Sequence, residues 1–562
     1  MNRIRNLLLV IQLALFVSAC NSPMDSTYRL ENITGYTLMA DGELKSFKAL
    51  AIQNGKVLMA GSLEEVREAL PNALVEDGEG KVLLPGLIDA HAHVMGLGML
   101  LMEVDVTGLP SLEETLEAVR VFAEKHPDEP WILGRGWNQV LWDEKEFPTA
   151  QDLDKVVPDR PVFLSRVDGH AAWTNTKAME LSGVSRDTPD SRGGRLIRTL
   201  NGDPTGVFID EAEQVITRMI PEKTLDQNRQ ALRAALEEMS RYGLTGVHDA
   251  GISAGTWDLF QEFDADEALP VRIYAMVGGI NENTQPLLDA GPLFAQGDDR
   301  LALRSVKLYS DGALGSRGAA LLNDYHDDPG NKGLLFYTDE EMTEFVTTVL
   351  SKGFQANVHA IGDAANRQVL DALKAAQKAF PTALHGDHRN RVEHAQVVSP
   401  ADISRFSELN LIASMQPTHA TSDKNMAGDR LGEKRLDGAY AWKTFLNQGT
   451  RVAAGSDFPV EHVNPFYGLY SAITRQDHEN NPPGGWLPEE KLSRIEALRA
   501  FTLDAAFSGF DEDRTGSLEP GKQADFILID GDYFELPASE IWKIQVLETR
   551  ISGKTVYKAD TP

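Results

Sequence analysis

Six side chains able to bind a metal ion or move a proton stand at intervals along the sequence. They are His91 and His93 in "LPGLIDAHAH", Lys307 in "RSVKLYSDG", His359 in "GFQANVHAIGD", His394 in "RVEHAQ" and Asp457 in "TRVAAGSDFP". In a β-strand, side chains at i and i+2 leave the same face, so His91 and His93 are placed to point into one space. His-x-His on one strand face offers two nitrogens to a single divalent ion. The pair alone fits equally well with two part-exposed histidines closing a strand, and a lone histidine at a strand end is more often a hydrogen-bonded structural residue than a ligand. The set weighs differently, because its members end five separate strand-like stretches.

Those stretches belong to a longer series. After "LLPGLIDAHAH" come "GLTGVHDAG", "VRIYAMVGG", "RSVKLYSDG", "GFQANVHAIGD", "RVEHAQ", "LIASMQP" and "TRVAAGSDFP", eight candidate strands in all. Amphipathic helical patterns lie between several of them, such as "ANRQVLDALKAAQKAF", with Val369, Leu370 and Leu373 at helical spacing. Alternating strands and helices predict an α/β fold with a parallel sheet, and eight units predict a (β/α)8 TIM-like barrel. In such a barrel the active site sits at the C-terminal ends of the strands. Lys307, Tyr309 and Asp311 then share one face of the fourth strand, and Gln355, Asn357 and His359 one face of the fifth.

Composition narrows the function. The chain has 562 residues, more than one compact core usually holds. Its formal net charge of −30 argues against nucleic acid as a partner, since such proteins carry basic patches. The first 19 residues have a basic start at Arg3 and Arg5 and an apolar run from Leu7 to Val17, the layout of a secretory signal and too short for a membrane span. Val17-Ser18-Ala19-Cys20 resembles the lipobox of bacterial lipoproteins, which implies cleavage before Cys20 and acylation of its thiol. Cys20 is the only cysteine, so no intramolecular disulfide is available. The expectation is a signal peptide over 1–19, a polar tether over 20–27, and membrane attachment through a lipid on Cys20 in the cell envelope. Asn21, where aspartate would signal inner-membrane retention in such lipoproteins, favours the outer membrane.

"GLIDAHAH", "VKLYSDGALGSRGA", "NVHAIGD", "RVEHAQ" and "GSDFPVEHVNPFYGLYSAITRQ" together resemble the amidohydrolase superfamily, in the branch called amidohydrolase family 3. The resemblance runs from about residue 30 to about residue 555. It implies a metal-dependent hydrolase acting on carbon–nitrogen bonds other than peptide bonds, with a small-molecule substrate. It further implies that His91, His93, Lys307, His359, His394 and Asp457 hold one or two divalent ions, zinc first among them. Lys307 would be carboxylated by CO₂ to a carbamate joining two ions, and Asp457 would also be the catalytic proton shuttle. Zinc lowers the pKa of its water to about 7, making hydroxide available at neutral pH for attack on an amide or N-substituted formamide. Lactonases, phosphotriesterases and cyclic-amidine deaminases use the same scaffold, and a non-catalytic ligand-binding surface lipoprotein is the reading from another class.

The remaining sequence is expected to shape the site. Residues 105–235 are too long for a strand–helix loop and are expected to form an inserted domain covering the active site. Residues 28–83 and 513–560 carry hairpin-like patterns and are expected to join as a small β-sandwich, leaving 84–104 and 236–512 for the barrel. His170 in "DGHAAW", His419 in "QPTHATSD" and Asp311 are candidate substrate contacts. His248 is a weaker candidate, and Asp525 is expected to be a packing or turn acid.

Overall fold

Eight stretches pair in parallel, each with the next along the chain: β1 (Leu87–Ala92), β2 (Leu244–Ile252), β3 (Arg272–Gly278), β4 (Leu301–Tyr309), β5 (Gln355–Ala360), β6 (Arg391–His394), β7 (Ile412–Met415) and β8 (Arg451–Ala454). The computed structural model that gives these strands describes residues 27–166, 171–191 and 194–560. The expected signal segment, Cys20, most of the expected tether and His170 therefore lie outside the described residues. Neighbouring strands share ladders from β1 to β8, and the ring is drawn closed just beyond the last strand. There the Asp457 N–H donates to the His91 carbonyl and the His93 N–H to the Phe458 carbonyl, both at 2.8 Å. These two bonds put the ends of β1 and β8 side by side, where a metal site shared between them requires them to be.

Helices cover the outside of this sheet for the reason their sequences suggest. In the helix Asp363–Ala379, Val369, Leu370, Leu373 and Ala376 form the buried stripe. The helix Leu225–Arg241 opens on a capping box, Thr224 with Gln227, and buries Leu232, Leu236 and Met239. The cap satisfies backbone N–H groups that the first turn leaves unpaired. Each fully buried side chain of this size contributes about 1.5–3 kcal/mol.

The chain ends build two further sheets, one from N-terminal strands alone and one from strands of both ends. Tyr28–Glu31, Ala49–Gln53, Lys56–Gly61 and Leu74–Asp77 form one. In the other, Val82–Pro85 pairs antiparallel with Phe526–Ile529, which brings the C-terminal strands against the N-terminal ones. Leu30, Leu50 and Ile52 of the first sheet share a core with Leu83, Phe526 and Leu528 of the second. Asp525 fastens this unit to the barrel, because its carboxylate accepts from Arg272 Nε of β3 at 2.8 Å and from the Ser552 N–H at 2.8 Å. Between β1 and β2 the chain builds a six-stranded sheet running from Val104–Asp105 to Gly194–Arg198. That sheet has its own apolar core, with Trp137 and Trp173 edge-on at 6.1 Å. Among the described residues, no helix is long and apolar enough to cross a membrane.

Candidate metal centre

The six expected ligands meet at the C-terminal rim. His91 is fully buried, and its Nδ1 lies 2.5 Å from Glu393 Oε2. That contact fixes the proton on Nδ1 and leaves Nε2 facing the centre, 3.1 Å from Lys307 Nζ and 3.6 Å from Asp457 Oδ1. His93 Nε2 is 3.2 Å from the same Asp457 oxygen. The His394 ring is 4.8 Å from that of His91 and 4.5 Å from that of His359. His394 Nδ1 faces Gln416 Oε1 at 2.8 Å, so its second nitrogen is also free. Ligand atoms of His91, His394 and Asp457 all lie within 4.8 Å of one another.

The electrostatics suit a cation. Burial holds the imidazoles of His91 and His394 well below their usual pKa and brings His359 down to about 3, so each is neutral and keeps a lone pair. Burial also lowers the Lys307 amine, against the opposing pull of Glu393 and Asp457. Buried carboxylates crowd the same space: Asp89, Glu393 and Asp457. At this centre the buried Nε2 atoms of His359 and His419 have no hydrogen-bond partner among the described residues. Unpaired buried nitrogens cost stability unless something binds them, and a divalent ion held by imidazole and carboxylate is such a partner. The donor set therefore fits the metal that the sequence implies.

Two of these residues depart from ordinary strand geometry. His394 and Asp457 have φ values of +73° and +62°, in the left-handed region that non-glycine residues rarely adopt. Such strain, of order 1–3 kcal/mol, collects at functional sites. In β6 it has a clear consequence. Simple alternation would send Glu393 and His394 to opposite faces, and the turn at His394 brings its ring back beside His91.

The other candidates divide. His419 lies at the centre, its Nε2 3.7 Å from Asp457 Oδ2. Asp311, expected to contact substrate, is instead 1% exposed and accepts from the backbone N–H groups of Ala320, Ile361 and Gly362. Those bonds anchor the loop after β4 to the end of β5, although Asp311 Oδ1 is also 3.5 Å from His359 Nε2. His248 is buried lower in the barrel, with Nδ1 3.0 Å from Arg391 Nη1. Glu393 and Asp89 were not singled out from sequence. Asp89 accepts from the His91 N–H and from Ser456, tying β1 to β8.

Glu393 orients His91 in the way that carboxylates orient metal-ligating imidazoles. Glu393→Gln keeps an acceptor but loses the charge, and is expected to weaken metal affinity about 10- to 100-fold. Chelator competition measures this; an unchanged affinity would remove the role.

A parallel eight-stranded barrel with this set at its C-terminal rim places the chain among the barrel metallohydrolases. Residues 74–557 match the amidohydrolase family, and the chain belongs to it. It is 32% identical over 541 residues to the protein LONG AFTER FAR-RED 3 of Arabidopsis thaliana, covering 93% of this chain and 90% of that one. It is 27% identical over 528 residues to N-substituted formamide deformylase of Arthrobacter pascens, covering 91% and 95%. The crystal structure of an uncharacterized metal-dependent hydrolase from Pyrococcus horikoshii superposes with a TM-score of 0.75 at 28% identity, covering 91% of this chain and 99% of that one.

Proposed function

We propose that this protein is a metal-dependent hydrolase that cleaves a non-peptide C–N bond, in an amide or N-substituted formamide, to a carboxylate and an amine. The observation that carries this reading is the placement of Asp457, whose Oδ1 lies within 3.2 Å of His93 and 3.6 Å of His91 at the mouth of a buried imidazole cluster. His91, His93, His359, His394, Asp457 and a carboxylated Lys307 would hold the metal. When bound, it polarises the carbonyl and makes water acidic enough to attack at neutral pH. Asp457 takes a proton from the attacking water as its oxygen bonds to the carbonyl carbon. The same carboxyl returns that proton to nitrogen as the C–N bond breaks, because an amine leaves poorly unless protonated. The likeness to the formamide deformylase favours this substrate class over lactones and phosphotriesters, and the 105–235 segment is read as the cover of the site.

A screen of metal-reconstituted protein against N-formyl and N-acyl amines, lactones, phosphotriesters and cyclic amidines tests the reading. Amine release from the first group is expected; turnover confined to the others would replace it. We further propose attachment to the outer membrane through acylated Cys20. Cys20→Ser is expected to release the protein from membranes or leave the precursor uncleaved, and unchanged fractionation and processing would rule the anchor out.

A further inference from the structure

The N-terminal halves of β2, β3 and β4, together with residues 506–515, line a cavity of about 50 Å³ at the end of the barrel away from the metal centre. Four guanidinium groups line it, from Arg272, Arg300, Arg304 and Arg514, against three carboxylates, from Asp299, Asp511 and Asp525. In a chain with a net charge of −30, a lining with more arginine than aspartate stands apart.

The pairing within it is uneven. Arg272 is bound to Asp525 at 2.8 Å and to Asp298 at 3.1 Å, and Arg514 lies 3.3 Å from Asp511. Arg304 makes no ion pair among the described residues. Its guanidinium carbon is instead held between two rings, 4.1 Å from the centre of Phe294 and 3.8 Å from that of Phe510. With both faces covered by aromatic rings, hydrogen bonding is left to the edge of the group. Among the described residues, the buried Nε of Arg304 and Nε of Arg514 have no hydrogen-bond partner, and Nη1 of Arg514 makes no aligned hydrogen bond although it lies 3.3 Å from Asp511 Oδ1. A buried donor without a partner is costly, and each such group calls for one. The cavity is several times the ~10–15 Å³ that a single water needs, so it has room for a small anion. The edge of a stacked guanidinium is a planar fork that matches a carboxylate two bonds at a time.

We propose that this cavity is a binding site for a small carboxylate anion, held by Arg304 with Arg514 as second donor and separate from the metal centre. It does not depend on the proposed reaction, although a carboxylate is what that reaction would release.

Acetate is the probe, titrated at constant ionic strength into metal-loaded protein and followed by calorimetry and by the unfolding midpoint. Saturable binding is expected in the native protein. Arg304→Met keeps an apolar stem between the rings and removes the charge, so acetate affinity should fall at least 10-fold while metal content is unchanged. Arg304→Lys should retain part of the affinity. Acetate taken up by the metal itself is common to all these proteins and cancels in the comparison. If Arg304→Met fails to fold, Arg514→Met is measured in its place, with the same fall expected. Equal acetate affinity in native and variant protein, or equal stabilisation by chloride, would overturn the site and leave the cavity to water.

Discussion

Asp457→Asn is expected to lower turnover by about 10²- to 10⁴-fold, the range over which a positioned general acid–base group acts. Asparagine keeps the shape of the side chain and its contacts with His93 and His91, but it cannot accept a proton from the attacking water. The second transfer is lost with the first, and the amine then has no route to leave as a neutral molecule. His91→Ala should remove more metal than Asp457→Asn, because His91 is held in place by Glu393 at 2.5 Å and presents its free nitrogen to the centre. Turnover is therefore measured per bound metal. Near-normal turnover in Asp457→Asn would sink the assignment of the shuttle.

Lys307→Ala is expected to lose metal and activity together, by more than the about 10- to 100-fold that removal of an outer partner costs. Lys307 is 1% exposed and sits 3.1 Å from His91 Nε2. An ammonium there would repel a cation, whereas burial favours the neutral amine, the form that reacts with CO₂ to give a carbamate. A short carboxylic acid added to the variant should restore part of both metal and activity by standing in for the missing group. Isotopically labelled bicarbonate should give a carbamate resonance in the native protein and none in Lys307→Ala. Absence of that resonance at full metal occupancy would favour a plain lysine beside a single ion held by His91, His93, His359 and Asp457.

The barrel was legible in the sequence because parallel strands buried on both faces read as short apolar runs, and all eight runs became β1 to β8 in order. The candidate ligands were legible for a related reason: a polar side chain that ends an apolar strand in this fold has only the rim to occupy. The carboxylates that support them were not. Glu393 reads as the polar neighbour of His394 in "RVEHAQ", and a period of two assigns the pair to opposite faces. Only the left-handed turns at His394 and Asp457 place histidine, glutamate and aspartate around one point. Asp311 shows the same limit from the other side. Its place at the strand end suggested a substrate contact, and the fold instead directs onto it one backbone N–H of its own loop, from Ala320, and two from the end of β5, from Ile361 and Gly362. Local sequence thus determined which segments become strands and which side chains reach the rim, because both follow from burial along a short stretch. The tertiary structure alone decided which nitrogen of His91 and of His394 faces the centre and which acceptor, Glu393 or Gln416, holds the other, because such partners lie up to some 300 residues apart, as His91 and Glu393 do at 302.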